Sequence, residues 1–104
     1  MNWDFLFLLD MKHFLYIIYS KTLDKFYIGE TPNIQNRIQQ HNQHYFKTNF
    51  TKSANDWSIV LSKKCDSKEN AIYLEKFVKR MKSKKFVLKL IANPQILDDL
   101  LNKR

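Results

Sequence analysis

Three side chains that could do chemistry lie where the sequence predicts the edge of an apolar helix face. Arg37 and His41 are four positions apart, so on a helix their side chains would be neighbours. Glu75 lies in the same way beside the apolar stripe of a second predicted helix. Because a rigid element holds a polar group at the margin of a core, these positions suit a catalytic or binding site.

Each candidate also has an ordinary structural interpretation when it is taken alone. Arg37 and Glu75 would be solvated surface charges, and His41 would be a capping or packed imidazole. Tyr16, in a predicted strand, would be an aromatic side chain that packs in the core. A functional interpretation therefore depends on the combination of residues and on their spacing.

Gly29 is the single glycine of the chain, where average usage would give about seven. It lies between a predicted strand and a predicted helix. A missing side chain at such a turn would let the backbone bend or would let a ligand approach closely. A simple strand terminator is the alternative.

The first half of the chain predicts a hairpin followed by a helix. Residues 14–19 are β-branched and aromatic, as in a buried strand, and residues 26–29 form a second short strand after a polar turn. Thr31 as the N-cap and Pro32 at the first helical position open a helix that runs to about residue 44.

The second half predicts a third strand over 57–62 and three helices. Asp66 and Glu69 match a capping box, which opens a long helix to about residue 82. The remaining elements are a helix over 84–92 capped by Ser83 and a final helix over 94–101. The order β-β-α-β-α-α-α predicts an α+β fold, with a small three-stranded antiparallel sheet flanked by helices.

Residues 11–104 are expected to form one domain. Residues 1–10 are either an upstream extension or an extra helical turn or strand that packs on the body. No apolar stretch approaches the roughly 20 residues of a transmembrane helix. The N-terminus also lacks the basic region of a signal peptide.

The charge and cysteine content narrow the class of partner and the compartment. A formal net charge of +8 favours a polyanionic partner, such as nucleic acid or an anionic membrane, over a charge that serves solubility alone. The single cysteine, Cys65, excludes an internal disulfide and suits a reducing compartment such as the cytoplasm. We interpret Cys65 as structural, because it has no clear basic partner.

The segment YIGETPNIQNRIQQHN, residues 27–42, resembles the core of the GIY-YIG nuclease superfamily. That core has a Y-I-G tripeptide followed by a helix of the form N-L-x-x-R-L-x-x-H, here with isoleucines in place of the leucines. The family's first tripeptide aligns with residues 14–16, which lack its glycine and isoleucine. Glu75 matches an A-x-x-x-E element that begins at Ala71. The resemblance covers about residues 12–91. Over this range the chain resembles the nuclease domain of the excision-repair C subunit.

The resemblance implies a metal-dependent endonuclease that hydrolyses phosphodiester bonds in DNA. Glu75 would hold one Mg²⁺ or Mn²⁺ ion, and Arg37 would clamp a phosphate oxygen. Tyr16 and Tyr27 would come close together from paired strands, and one of them, with Tyr27 preferred, would help to deprotonate the attacking water. His41 would transfer a proton or orient the group that does.

Two departures from the family pattern support an alternative, a nucleic-acid-binding module of the same fold with lost or weak catalysis. An asparagine found beyond the glutamate in some members is absent from residues 84–87. Glu30 follows Gly29, where some relatives have lysine. Another acid at that place would either repel substrate or add a metal ligand.

Basic residues follow Glu75 without an acid until Asp98. Lys79 and Lys82 share the helix face of Glu75, so they could form a phosphate-binding track beside the site. The other members of this predicted track are Lys84 and Lys85, with Lys47 and Lys52 as extensions. A solvated helix face is the alternative. No base-reading pattern is present, so we expect low sequence specificity.

A third hypothesis is a protein-interaction domain whose final helix presents an apolar face to a partner, formed by Ile96, Leu97, Leu100 and Leu101. The sequence leaves the oligomeric state and the substrate structure open. It also does not choose between DNA repair, mobile-element movement and restriction as the setting.

Overall fold

The computed structural model describes residues 12–43 and 54–104. The described residues form three strands and four helices: β1 His13–Ser20, β2 Lys25–Thr31, α1 Ile34–Asn42, β3 Trp57–Cys65, α2 Lys68–Met81, α3 Lys84–Ala92 and α4 Gln95–Asn102. The predicted α+β class and the predicted element order are confirmed. The proposed extension over residues 1–10 and the loop lysines 47 and 52 lie outside the described residues.

The sheet has the order β2-β1-β3, and both strand pairs are antiparallel. The apolar run of β1 explains its central position, because Leu15, Tyr16, Ile17 and Ile18 are all at most 3% exposed. Other elements of the fold must cover both faces of such a strand. The predicted three-stranded antiparallel sheet is therefore confirmed, and β1 is its middle strand.

Successive side chains of a strand point to opposite faces, so β1 takes part in two cores. On one face, Leu15 and Ile17 pack with buried residues of α2, α3 and α4. On the other face, Tyr16 and Ile18 pack with Trp57 of β3 and with α1. Tyr16 and the residues of α1 consequently share one side of the sheet.

The helix α1 begins two residues later than its local sequence predicts. The N-cap is Asn33, whose Oδ1 accepts a hydrogen bond from the backbone N–H of Asn36 at 3.0 Å. The predicted cap at Thr31 is wrong, because Thr31 is the last residue of β2 and pairs with Phe14. Its hydroxyl instead accepts a hydrogen bond from the Asn33 backbone N–H at 3.2 Å.

The prediction of a capping box at the start of α2 is also wrong. Ser67, not Asp66, is the N-cap, and its hydroxyl accepts from the Asn70 backbone N–H at 3.1 Å. The predicted cap of α3 is confirmed, since Ser83 accepts from the Phe86 backbone N–H at 3.0 Å. Both helices thus begin with a hydroxyl that satisfies one of the unpaired N–H groups of the first turn.

The final helix α4 packs on its own domain. Leu97 is fully buried in the core under α2 and α3, and Ile96, Leu100 and Leu101 pack against that core. The hypothesis that this face binds a protein partner therefore loses its basis. None of the described helices is both long enough and apolar enough to cross a bilayer.

Cys65, at the end of β3, is a free and buried thiol. Burial raises the pKa of this thiol above its usual value, so the reactive thiolate is disfavoured. The structural interpretation of Cys65 is consistent with both observations.

The side chain of Asn42 fastens the end of α1 to the start of β3. Its Nδ2 donates to the Trp57 carbonyl at 3.0 Å, and its Oδ1 accepts from the Trp57 backbone N–H at 2.7 Å. The amide thus forms a hydrogen bond with each backbone polar group of Trp57, a residue that is only 3% exposed. This clamp holds α1 against the sheet on the side where Arg37 and His41 lie.

We expect Asn42→Ala to lower the free energy of unfolding by about 1–3 kcal/mol, because the buried backbone groups of Trp57 lose their partners. Urea unfolding measures the change. The matched control is Gln39→Ala at an exposed position of the same helix, where we expect a change within about 0.5 kcal/mol. Equal effects of the two substitutions would show that the clamp contributes nothing.

Candidate active site

Three rings from three elements meet on the α1 side of the sheet. The hydroxyl of Tyr16, on β1, lies 2.9 Å from Nε2 of His41, on α1. The ring of Tyr27, on β2, lies with its centroid 4.9 Å from the His41 ring and 6.4 Å from the Tyr16 ring. The strand pairing brings the two tyrosines together because Tyr27 lies two residues along β2 from Gly29, the register partner of Tyr16.

Gly29 leaves room for the Tyr16 ring. A Cβ built at Gly29 would lie 2.5 Å from Cζ of Tyr16, well inside the contact distance of two carbon atoms. Gly29 lies within β2 and does not have a positive φ, so the prediction of a turn at this glycine is wrong. Its missing side chain admits the phenol of Tyr16 across the strand pair, and that phenol then reaches His41.

The hydrogen bond between Tyr16 and His41 joins two groups that are uncharged at neutral pH. Burial raises the pKa of the Tyr16 phenol far above its usual value, with a further contribution from Tyr27, while the charge of Arg37 opposes it. Burial also lowers the pKa of His41 to about 4, and Arg37 lowers it further. His41 is only 1% exposed. Desolvation disfavours the charged form of each group, so the site has a neutral interior.

The neutral state of His41 changes the role that its residue type predicts. An imidazole with a pKa of about 4 carries almost no proton at neutral pH. His41 can therefore accept a hydrogen bond or a proton, but at neutral pH it has no proton to give to a leaving group as a general acid. The raised pKa of Tyr16 likewise disfavours a phenolate at that position.

Glu75 and Lys79 lie on α2, which packs against β1 and β2. Lys79 Nζ lies 3.5 Å from Oε1 of Glu75, and the Glu75 side chain is 20% exposed. The same Nζ lies 5.5 Å from the centroid of the Tyr27 ring. The negative charge of Glu75 contributes to the raised pKa of Tyr16, so the carboxylate belongs to the same neighbourhood as the rings.

Lys79 thus has a place in the cluster that the sequence did not assign to it. The pattern of basic residues predicts that it binds phosphate beside the site, whereas the structure places it between Glu75 and Tyr27. The i, i+4 spacing of Glu75 and Lys79 was the available signal, because such residues are neighbours on a helix.

The donor set around Glu75 fits one largely hydrated hard cation. No group of three His, Cys, Asp or Glu side chains within 12–43 and 54–104 could hold a metal. Mg²⁺ does not need such a group, because it keeps several waters and is often held by one or two carboxylates plus phosphate oxygens. An ion at Oε1 of Glu75 would replace or share the contact with Lys79.

Glu30 is engaged by a histidine. Its Oε2 lies 3.3 Å from Nε2 of His13, and the His13 side chain is 8% exposed. Glu30 pairs across the sheet with Leu15, so its side chain points to the face on which α2 packs, and its charge, like that of Glu75, contributes to the raised pKa of Tyr16. Repulsion of substrate and ligation of a metal ion both stay predictions for this acid.

The predicted basic track is divided by the structure. Lys79, Lys82 and Lys84 line one groove beside β2, and Lys84 also pairs with Asp24 at 3.0 Å. Lys85 is exposed on α3 but does not line the groove. Lys52 lies outside the described residues. Lys25 of β2 also lines the groove. The sequence did not predict its position there, because Lys25 is far in sequence from the other lysines.

We expect Gly29→Ala to lower the free energy of unfolding by about 1–3 kcal/mol, because the added methyl group overpacks the site of the Tyr16 ring. Urea unfolding measures this loss, and the nitrogen chemical shifts of His41 report whether the Tyr16 contact is broken. Ser62→Ala is the matched control, because Ser62 is the exposed partner of Tyr16 on β3. A Gly29→Ala protein as stable as the control would contradict the packing argument.

The lowered pKa of His41 predicts a loss of stability in mild acid. The unfolded chain takes up a proton near the usual pKa of 6.5, whereas the folded chain resists it down to about 4. Stability is therefore full above the unfolded pKa and falls as the pH drops between these values. From about pH 7.5 to about pH 5 we expect this group to cost about 2 kcal/mol.

Urea unfolding of the wild type and of His41→Gln at both pH values checks this expectation. The variant lacks the titrating ring, so its loss of stability over the same pH range should be smaller by about the stated amount. The two proteins differ only at residue 41, so all other contributions that they share cancel in the comparison. Equal losses in the two proteins would exclude His41 as the cause.

Comparison with known proteins shows the family of the chain. The family model described as the GIY-YIG catalytic domain matches residues 12–87, which is most of the chain and includes every residue of the ring cluster and Glu75. The solution NMR structure of the UPF0213 protein BH0048 from Bacillus halodurans is similar, with a TM-score of 0.51 and 27% identity over 79% of this chain and 84% of that chain. No curated protein matches the chain. On the family match, the chain belongs to the GIY-YIG family.

Proposed function

We propose that this protein is a metal-dependent endonuclease that hydrolyses phosphodiester bonds in DNA with low sequence specificity. The observation that carries the proposal is the contact of Lys79, the ion-pair partner of Glu75, with the ring cluster of Tyr16, Tyr27 and His41 at the β2 edge of the sheet. Membership of the GIY-YIG family supports nuclease chemistry at this place.

Glu75 would hold the metal ion, Mg²⁺ or Mn²⁺, through a carboxylate oxygen. When bound, such an ion activates water and neutralises the charge of the scissile phosphate. Arg37 would grip a phosphate oxygen with its guanidinium fork, which can donate two parallel hydrogen bonds. The charge of Arg37 opposes the raised pKa of Tyr16 and lowers the pKa of His41, which supports a place for Arg37 near the rings.

We assign different roles to the two tyrosines. Tyr16 would donate a hydrogen bond from its hydroxyl to Nε2 of His41, which fixes the Tyr16 oxygen in the site while the phenol stays protonated. Tyr27 would help to deprotonate the attacking water, which requires that its own hydroxyl proton has first passed to solvent. The ammonium of Lys79 lies 5.5 Å from the centroid of the Tyr27 ring.

Low specificity follows from the character of the candidate interface. Lysine side chains bind the phosphate backbone, which carries no direct sequence information. One active site would cut one strand in each encounter, so cleavage of a duplex would take two encounters or a dimer. We place this activity in the cytoplasm, in keeping with a single cysteine and no disulfide.

A nucleic-acid-binding module with lost catalysis is the second candidate. The contact between Lys79 and Glu75 favours it, because the lysine occupies the oxygen that a metal ion would need. The two candidates differ in one measurable respect, which is cleavage that requires both a divalent ion and Glu75.

We expect Glu75→Gln to reduce Mg²⁺- or Mn²⁺-dependent cleavage of labelled DNA to background, because an amide oxygen holds a divalent cation far less well than a carboxylate. The assay uses a panel of duplex, nicked, branched and single-stranded substrates. Glu69→Gln is the matched control, since Glu69 is an exposed acid in the first turn of the same helix. This control should cleave like the wild type.

Three outcomes separate the candidates. Cleavage lost in Glu75→Gln and kept in Glu69→Gln would support the nuclease. Equal cleavage by both variants would remove Glu75 from the mechanism. Binding of DNA by the wild type without cleavage of any substrate would favour the module that has lost catalysis.

A further inference from the structure

A groove of about 990 Å³ runs along the outer side of β2. Its walls are the edge strand β2, the C-terminal half of α2 and the first turn of α3. The groove reaches the upper end of the roughly 300–1,000 Å³ that is usual for ligand sites. It is large enough to take more than one planar ring.

The rim of the groove is strongly positive. Of the described residues that line it, four are lysines, namely Lys25, Lys79, Lys82 and Lys84, and Asp24 is the single acid. Asp24 pairs with Lys84 at 3.0 Å, which leaves its charge largely balanced. The charge of this rim complements a chain of phosphates.

The floor of the groove is apolar. Phe26 and Ile28 of β2 are partly exposed there, Val78 of α2 and Val87 of α3 are buried, and the lining surface is mainly apolar. A duplex keeps its bases stacked inside and presents phosphates outward, so it has nothing to place against such a floor. A single strand offers exposed base faces, which bind to aromatic and apolar side chains beside a positive backbone track.

The groove is continuous with the candidate active site. Tyr27 and Lys79 line the groove and also belong to the cluster around Glu75 and His41. A strand lying in the groove would therefore pass Lys79, whose Nζ lies 3.5 Å from Oε1 of the proposed metal ligand Glu75. This continuity distinguishes the groove from an isolated basic patch.

We propose that the groove binds a single-stranded DNA segment and leads it to Glu75, so that the substrates are DNAs with an unpaired strand beside the cut. The proposal rests on the nuclease function for its purpose, but the binding itself does not require catalysis. Phosphates would lie along the lysine rim and bases would lie against Phe26 and its apolar neighbours.

The first test is binding of fluorescently labelled oligo-dT and of a duplex of equal length to the full chain, in EDTA and over a series of salt concentrations. The groove variant is Lys25→Gln with Lys82→Asn. Asparagine suits the second position because Lys82 has a φ of 47°, a conformation that asparagine tolerates. The control variant is Lys64→Gln with Lys68→Gln, which removes the same charge.

The control positions lie far from the groove. Lys64 is on β3 at the other edge of the sheet, and Lys68 begins α2, about 20 Å along the helix from Lys82. Circular dichroism shows whether each variant is folded. We expect oligo-dT to bind more tightly than the duplex. The slope of log affinity against log salt should fall by about 1.4 in the groove variant, for two phosphate contacts of about 0.7 each, and should stay unchanged in the control.

The second test addresses the floor. Phe26→Leu keeps an apolar side chain but removes the ring, so oligo-dT binding should weaken at least about fivefold, the lower end of the range for loss of one base–aromatic stack. Phe86→Leu is the matched control, because Phe86 is a half-buried aromatic residue that does not line the groove. An equal effect of the two substitutions would overturn the stacking role.

The outcomes separate this proposal from the proposed nuclease function. Duplex binding as tight as oligo-dT binding, or an equal change of salt slope in both lysine variants, would overturn the groove even if cleavage is found. Tighter binding of oligo-U than of oligo-dT would overturn the assignment to DNA. Groove-dependent binding of oligo-dT without any metal-dependent cleavage would support the groove and would contradict the nuclease.

Discussion

The packing of the Tyr16 ring against the backbone of Gly29 is the constraint on which the candidate site depends. A side chain at Gly29 would collide with the ring, and without that close approach the Tyr16 hydroxyl would not lie 2.9 Å from His41. The chain uses its single glycine here. The two described positions with positive φ are occupied by Asp24 and Lys82 instead. The positive-φ positions are thus occupied by residues with side chains. The glycine is needed instead where the Tyr16 ring lies against the backbone.

The same packing divides the site into a neutral interior and a charged margin. Burial keeps Tyr16 protonated and His41 uncharged, because desolvation raises the pKa of the phenol and lowers the pKa of the imidazole. The lysine and the carboxylate of α2 lie further out, at 46% and 20% side-chain exposure. Charges at the margin can meet a solvated phosphate or metal ion, whereas the interior rings fix positions. A site built in this way needs no buried ion pair, which would be costly to desolvate.

The sequence predicted the elements well but misplaced the N-caps of α1 and α2. The apolar run of β1 is long and made of aromatic and aliphatic residues, so that a buried strand could be inferred directly. Thr31 has the residue type of a helix cap, yet it pairs with Phe14 as part of β2. A local propensity was overridden by a strand contact that links residues far apart in sequence. At α2, Asp66 and Ser67 are both good caps, and nothing local to the sequence decides between neighbouring candidates of similar strength.

For the candidate site too, local spacing predicted some contacts, and contacts between distant parts of the sequence were beyond it. Residues within one helix, such as Arg37 and His41, could be placed together from their spacing alone. Joining them to Tyr16, Tyr27 and Glu75 needed the resemblance to a family, because no local pattern relates residues on β1, β2 and α2. The packing of Gly29 under a ring and the position of Lys25 in the groove were not predictable, since both depend on side chains that meet only after the sheet and α2 have packed.

The position of Lys79 links the charge of the site to its occupancy. The ammonium balances the Glu75 carboxylate at 3.5 Å and lies beside the Tyr27 ring. Binding of a divalent ion to Glu75 would add positive charge beside an existing cation, and like charges at such distances repel. Because Lys79 also forms a wall of the groove, a metal ion at Glu75 and a strand in the groove would both act on the same ammonium.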